Sequence, residues 1–183
     1  MNWFALTVKP QHEKAAEMQL EAASIQAYVP VYETRRRWSD RVKKMQVPLF
    51  RGYVFSRFEA AERWKVLSFP SVTSVVAFGG RPVPLSDEEI ASIQAMAGSG
   101  LPLAPCPPVR AGEWVRISAG PLTGVEGIFV NEKSAARVVV NVELLNRAVS
   151  VEVDRNSIEA IKTTRPWRLS EPQLLSTCTG INQ

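Results

Sequence analysis

Residues 2–8, Asn-Trp-Phe-Ala-Leu-Thr-Val, form a short apolar run closed by Lys9-Pro10, which predicts a buried strand. From 11 to 24, Ala16, Leu20 and Ala23 recur at helical spacing among Glu13, Lys14, Glu17 and Glu21, the pattern of a helix with one face on a sheet. A strand is expected over 27–33, with Pro30 pushing it toward an edge, and another over the aromatic and β-branched run 52–58. These two strands flank a charged excursion and so predict a hairpin with a long tip. Ala60, Trp64 and Leu67 mark a short helix before Pro70, and residues 72–78 a strand closed by Gly79-Gly80. Ser86 with Glu89 is a capping box, and Ile90, Ile93 and Ala97 carry the helical period to Gly98.

The pattern changes beyond Gly98. Four prolines between 98 and 110 cannot extend a helix or a central strand, so this stretch reads as a linker. Five β-rich runs follow, at 113–118, 124–130, 137–143, 148–153 and 157–161, punctuated by Gly, Asn and Asp. The fold class is therefore α+β: an N-terminal βαββαβα antiparallel sheet with helices over 1–98, a linker over 99–110, and a five-stranded small β-barrel over 111–161. The tail, 162–183, carries only a weak apolar signal. Arg137-Val138-Val139-Val140 and the alternation of Val149, Val151 and Val153 favour strands, and Gly120, Pro121, Gly124 and Gly127 would each penalise a helix.

Charge adds one local feature. The chain carries +4 overall, but Arg35, Arg36, Arg37, Arg41, Lys43 and Lys44 against Asp40 give 35–44 a net +5, leaving the rest at −1. This basic tip, with Trp38 inside it, can hold phosphates while the indole stacks on an unpaired base. No apolar run approaches the roughly 20 residues of a spanning helix, so a cytoplasmic protein with no membrane contact is expected.

The candidate chemistry is thin. His12 is the only histidine, and Cys106 and Cys178 are far apart without metal-site spacing, so no catalytic residue, metal or cofactor is expected. Asp87, Glu88 and Glu89 sit where acids favour a helix dipole. The glycines of 120–127 lack the Lys-Ser or Lys-Thr of a phosphate loop and read as tight turns.

Trp3-Phe4-Ala5-Leu6 at the start of the first strand, with Phe50-Arg51-Gly52-Tyr53-Val54-Phe55, resembles the N-terminal domain of the NusG family. Glu113-Trp114-Val115-Arg116-Ile117 with Gly120-Pro121-Leu122 and Gly127 is similar to that family's KOW motif. The resemblance spans residues 1 to about 161, and two modules in the right order are more specific than either alone. It implies a monomeric elongation and antitermination factor that docks on the clamp helices of bacterial RNA polymerase through Trp3, Phe4, Phe50, Gly52 and Tyr53 and suppresses pausing and termination. It also implies a KOW domain whose Leu122, Val125, Leu144 and Leu145 recruit a small-subunit ribosomal protein or Rho. Val125 and Leu145 stand where the family commonly has Phe, a departure that bears on the Rho contact, and Arg51 replaces a usual Pro.

His12-Glu13-Lys14, Trp38-Ser39-Asp40-Arg41 and Phe78-Gly79-Gly80-Arg81-Pro82 resemble the UpxY group of specialised paralogues, related in role to RfaH. By that resemblance Arg35, Arg36, Arg37, Trp38, Arg41, Lys43 and Lys44 touch non-template DNA or nascent RNA. The alternatives are a ribosome-associated KOW protein that binds RNA, and a housekeeping or termination-promoting member of the same family.

Overall fold

Strand β1 (Asn2–Val8) alternates between two cores, because successive side chains of a strand leave on opposite faces. Phe4, Leu6 and Val8 point into one apolar cluster, and Trp3 and Ala5 into another. The computed structural model that locates them describes residues 1–37, 42–109, 112–132 and 135–161. The first cluster is closed by helix α1 (Glu13–Ala22), whose Ala16 and Leu20 are fully buried in it. Strand β2 (Gln26–Tyr28) then lies at one end of the sheet.

Strands β3 (Val31–Arg37) and β4 (Val42–Pro48) pair, among the described residues, only with each other, as a separate two-stranded ribbon. The single strand expected over 27–33 is thus split at Pro30, which has no N–H for a ladder; its carbonyl instead accepts the Leu49 N–H at 2.8 Å. Strand β5 (Tyr53–Phe58) returns to the main sheet between β2 and β1.

The helix expected over 60–67 is a 3-10 turn at Ala60–Glu62 followed by α2 (Arg63–Leu67), whose Val66 joins the α1 side of the sheet. The strand expected over 72–78 is β6 (Val72–Val75) and β7 (Ala77–Phe78), interrupted where the Val76 N–H turns to the Ala5 carbonyl at 2.8 Å. Gly79 and Gly80, at φ 57° and 77°, give the doubly left-handed turn that joins β7 to β8 (Arg81–Pro82). Strand β9 (Pro84–Leu85) pairs with β1, and Ser86 caps α3 (Asp87–Gly98): its hydroxyl accepts the Glu89 N–H at 3.1 Å while the Glu89 carboxylate accepts the Ser86 N–H at 3.0 Å.

A strand stands where the sequence predicts only linker. Strand β10 (Leu103–Cys106) runs antiparallel to β14 (Arg147–Glu152), with Ala104 opposite Ser150. Its place at the end of the second sheet suits a segment containing Pro105. That sheet also holds β11 (Glu113–Ile117), β12 (Glu126–Glu132), β13 (Ala135–Val142) and β15 (Ile158–Ala160), in the order β10-β14-β13-β12-β11-β15. Each of the five runs expected beyond residue 111 overlaps one of its strands. The molecule is a mixed α+β protein of antiparallel sheets and three α-helices among the described residues.

Candidate functional site: an apolar face between two sheets

Trp3 and Phe50 lie on the face of the first sheet turned away from α1. Register sets Thr7 opposite Tyr53 and Ala5 opposite Phe55, so Tyr53 and Phe55 share that face with Trp3 and Ala5. Phe50 meets Phe55 edge-on, with ring centroids 5.5 Å apart at 81°, a favourable aromatic geometry. The turn that places Phe50 and Tyr53 side by side is closed by the Tyr53 N–H on the Phe50 carbonyl at 3.1 Å. Gly52 adopts φ 82° there, a conformation glycine takes without steric cost.

A carboxylate from another element fixes this turn. Glu13, at the start of α1, is buried, and its Oε1 accepts the Gly52 N–H at 2.8 Å. The Gly52 carbonyl in turn accepts the Val8 N–H at 2.9 Å, so the turn is held from both sides.

The face is covered. Trp3 is 4% and Phe50 1% exposed, and their cluster continues through Ile90, Ile93 and Met96 of α3 into the second sheet. Leu122, Val125 and Leu145 are buried in that same cluster, and Leu144 packs against it half-buried. α3 lies against β13. At the margin, the Arg147 guanidinium sits 5.6 Å from the centre of the Tyr53 ring, within the range of a cation–π contact. Leu145, Asn146, Arg147 and the linker residues Pro105, Cys106 and Pro107 join Tyr53 around a shallow pocket.

Of the five residues assigned to polymerase docking, Trp3, Phe50, Gly52 and Tyr53 therefore converge. Phe4 does not: the alternation of β1 sends it to the opposite face, where its ring centroid lies 4.7 Å from that of Phe58, the planes tilted by 36°, in the cluster closed by α1. The resemblance implies a docking face for polymerase helices; here the second sheet covers that face. Glu13, which holds the turn, and Arg147, at the margin of the face, are the residues that the sequence reading missed. Glu13 resembles any solvated helix acid in sequence, and Arg147 carries no signal short of its position in space.

In the basic ribbon, Arg35 pairs with Lys44, Arg36 with Lys43 and Arg37 with Val42. Two cation–cation pairs across neighbouring strands oppose ribbon formation unless an anion offsets them. Lys44 also reaches Glu33 at 2.9 Å. Trp38 and Arg41 lie outside the described residues, as does Cys178. His12 is occupied locally, its ring Nδ1 2.9 Å from the Pro10 carbonyl. Among the described residues there is no group of three or more metal-ligating side chains, and no helix is long and apolar enough to cross a membrane.

Comparison with known proteins agrees with the architecture. Residues 1–94 match the family model described as transcription termination factor nusG. The transcription termination/antitermination protein NusG of Thermus thermophilus is 30% identical over 179 residues, covering 86% of this chain and 97% of that one. Its counterpart in Deinococcus radiodurans is 34% identical over 136 residues, covering 63% of this chain and 71% of that one. A solved structure of Thermotoga maritima NusG superposes with a TM-score of 0.51 at 24% identity, over 88% of this chain and 97% of that one, a likeness of fold.

Proposed function

The chain belongs to the NusG family of transcription termination/antitermination proteins, and from that premise we propose that it binds the clamp helices of bacterial RNA polymerase through the face carrying Trp3, Phe50 and Tyr53. The observation that carries this reading is the convergence of those three aromatics around a turn held rigid by Glu13. A preformed apolar face costs little ordering entropy on binding. Polymerase helices would take the place of the second sheet, so binding and closure compete for one surface. A factor that prefers the closed clamp shifts the polymerase toward it by its difference in affinity, and needs no covalent chemistry.

The basic ribbon supplies the second contact, to non-template DNA or nascent RNA. Its register sets Arg35 opposite Lys44 and Arg36 opposite Lys43, a concentration of positive charge that a phosphate backbone would offset. The second sheet is then a KOW barrel that recruits a ribosomal protein or Rho through Leu122, Val125, Leu144 and Leu145 once it leaves the aromatic face, where the first, second and last of these are now buried. The role is that of a specialised antitermination paralogue of the UpxY and RfaH kind.

Single-round transcription on a long template with purified polymerase tests this. Faster elongation or terminator read-through, lost in Tyr53→Ala and reduced when Arg35, Arg36, Lys43 and Lys44 are neutralised, is the expected result. Increased termination would instead favour a termination-promoting factor, the reading that the relatives' double designation also admits. Full activity of Tyr53→Ala would remove the aromatic face from the mechanism.

A further inference from the structure

The linker holds more structure than a tether needs. Leu103 to Cys106 pair with β14, the Ala104 carbonyl accepts the Ser150 hydroxyl at 3.2 Å, and Leu103 packs against the shared apolar cluster. Farther on, Asn141 of β13 grips Val109 twice: its Nδ2 donates to the Val109 carbonyl at 2.8 Å and its Oδ1 accepts the Val109 N–H at 3.1 Å. Ser99 secures the other end, its hydroxyl donating to the Met96 carbonyl at 2.7 Å and accepting the Leu101 N–H at 3.2 Å. The chain is thus fastened before and after a stretch too proline-rich to make a good strand. Pro105 brings no N–H, and Ala104 and Pro105 are exposed.

This pairing fixes the length of the tether. With β10 in place, only residues 99–102 connect α3 to the second sheet, four residues that span at most roughly 14 Å. Without it, and with Val109 still held by Asn141, the connection runs from 99 to 108, ten residues. Pro102, Pro105, Pro107 and Pro108 would hold such a segment in an extended, semi-rigid form of about 3.1 Å per residue, roughly 30 Å in all. The short form keeps the second sheet at high effective concentration over the aromatic face, and the long, stiff form holds it away.

We propose that β10 is a displaceable latch: paired on β14 it clamps the second sheet over Trp3 and Phe50, and its release lets the two sheets part. The latch is a property of the chain alone and stands whether or not polymerase helices are what the uncovered face receives. The Arg147–Tyr53 contact, at the first residue of the strand that β10 pairs with, is the companion clasp.

The test uses variants of the full chain, followed by small-angle scattering and amide exchange. Ala104→Pro with Leu103→Asp breaks the latch; the expected result is a larger radius of gyration and at least tenfold faster exchange of the Gly52 and Tyr53 amides, with α1 protection unchanged. A second variant, Ala104→Cys with Ser150→Cys in a background where Cys106 and Cys178 are Ser, locks it, since paired antiparallel Cα atoms lie about 4.5–5.5 Å apart, within disulfide range. Adding Arg147→Ala to that variant should leave the oxidised form compact and let the reduced form expand. Equal radii for oxidised and reduced forms would overturn the latch, as would exchange of residues 103, 104 and 106 in the unmodified protein at the rate of an unstructured peptide. If the latch-breaking variant fails to fold, the comparison of oxidised with reduced protein decides alone.

Discussion

Glu13 Oε1 and the backbone N–H of Gly52 meet at 2.8 Å across 39 positions of sequence, and the carboxylate is buried where they do. Removing the acceptor strands a partly buried donor at the turn that presents Phe50 and Tyr53. Glu13→Ala should therefore lower stability by about 1–3 kcal/mol in denaturant melts, while Glu13→Gln, which keeps a carbonyl oxygen, recovers most of it. Equal losses for the two variants would mean that packing, not the hydrogen bond, is at work.

Arg147→Ala should loosen the two sheets without harming either. A cation–π contact is worth about 0.5–2 kcal/mol, so affinity for polymerase should rise by about 2- to 30-fold as the binding-competent population grows. Binding measured by fluorescence anisotropy would show this, and weaker binding would assign Arg147 to the polymerase contact itself.

Neutralising Arg36 and Lys43 should have opposite effects on folding and on binding. The like-charge pair costs about 0.2–1 kcal/mol, so the double Gln variant should melt slightly higher than the unmodified protein. Its affinity for a single-stranded oligonucleotide should fall, with the slope of log affinity against log salt reduced by about 0.7 for each phosphate the variant no longer neutralises.

Gly127 leaves no space for a side chain: a Cβ there would lie 2.6 Å from the Val139 carbonyl oxygen and 2.7 Å from Val138 Cγ1. Backbone of the neighbouring strand cannot give way cheaply, so Gly127→Ala should cost about 1–3 kcal/mol or more and disturb the β12–β13 pairing. Loss of amide protection confined to the second sheet is the signature, with α1 and β1 unaffected.

Burial, and then the nearby charge of Glu17, pushes the Tyr28 phenol up to about 12 from an ordinary value of 10.0. The folded state thus holds this proton more tightly than the unfolded chain. The stabilisation it brings is complete below pH 10 and is lost as pH rises from 10 toward 12. Ultraviolet titration should find the Tyr28 phenol ionising well above pH 10, and Tyr28→Phe should remove part of the alkaline instability.

Periodicity made most of the elements legible, because α1 and α3 repeat their apolar residues on one face and β11 to β15 are rich in branched side chains. Proline and glycine located the breaks but not their form: Pro30 divides a strand rather than merely bending it, and β10 forms where propensity argues against any strand. The latter is tertiary, since the β14 edge and the apolar cluster against which Leu103 packs exist only after the second sheet has assembled. The aromatics of the candidate site were legible as residues, whereas what covers them was not. Whether Trp3 faces solvent or the second sheet depends on the placement of two sheets, and local pattern is silent on that. Phe4 was misplaced beside Trp3 because adjacent residues look alike in sequence and point in opposite directions in a strand.

Strand β1 serves both cores and pairs with β5, β6 and β9, each of which follows it in the chain. During synthesis at roughly 5–20 residues per second, β1 therefore waits for several seconds as an apolar ribbon with both edges open. Its period of greatest vulnerability is the interval before Leu85 emerges, when a chaperone or a neighbouring nascent chain competes with its own sheet. A slow codon between β1 and β5 would prolong that interval and lower the yield of native protein without changing a single residue.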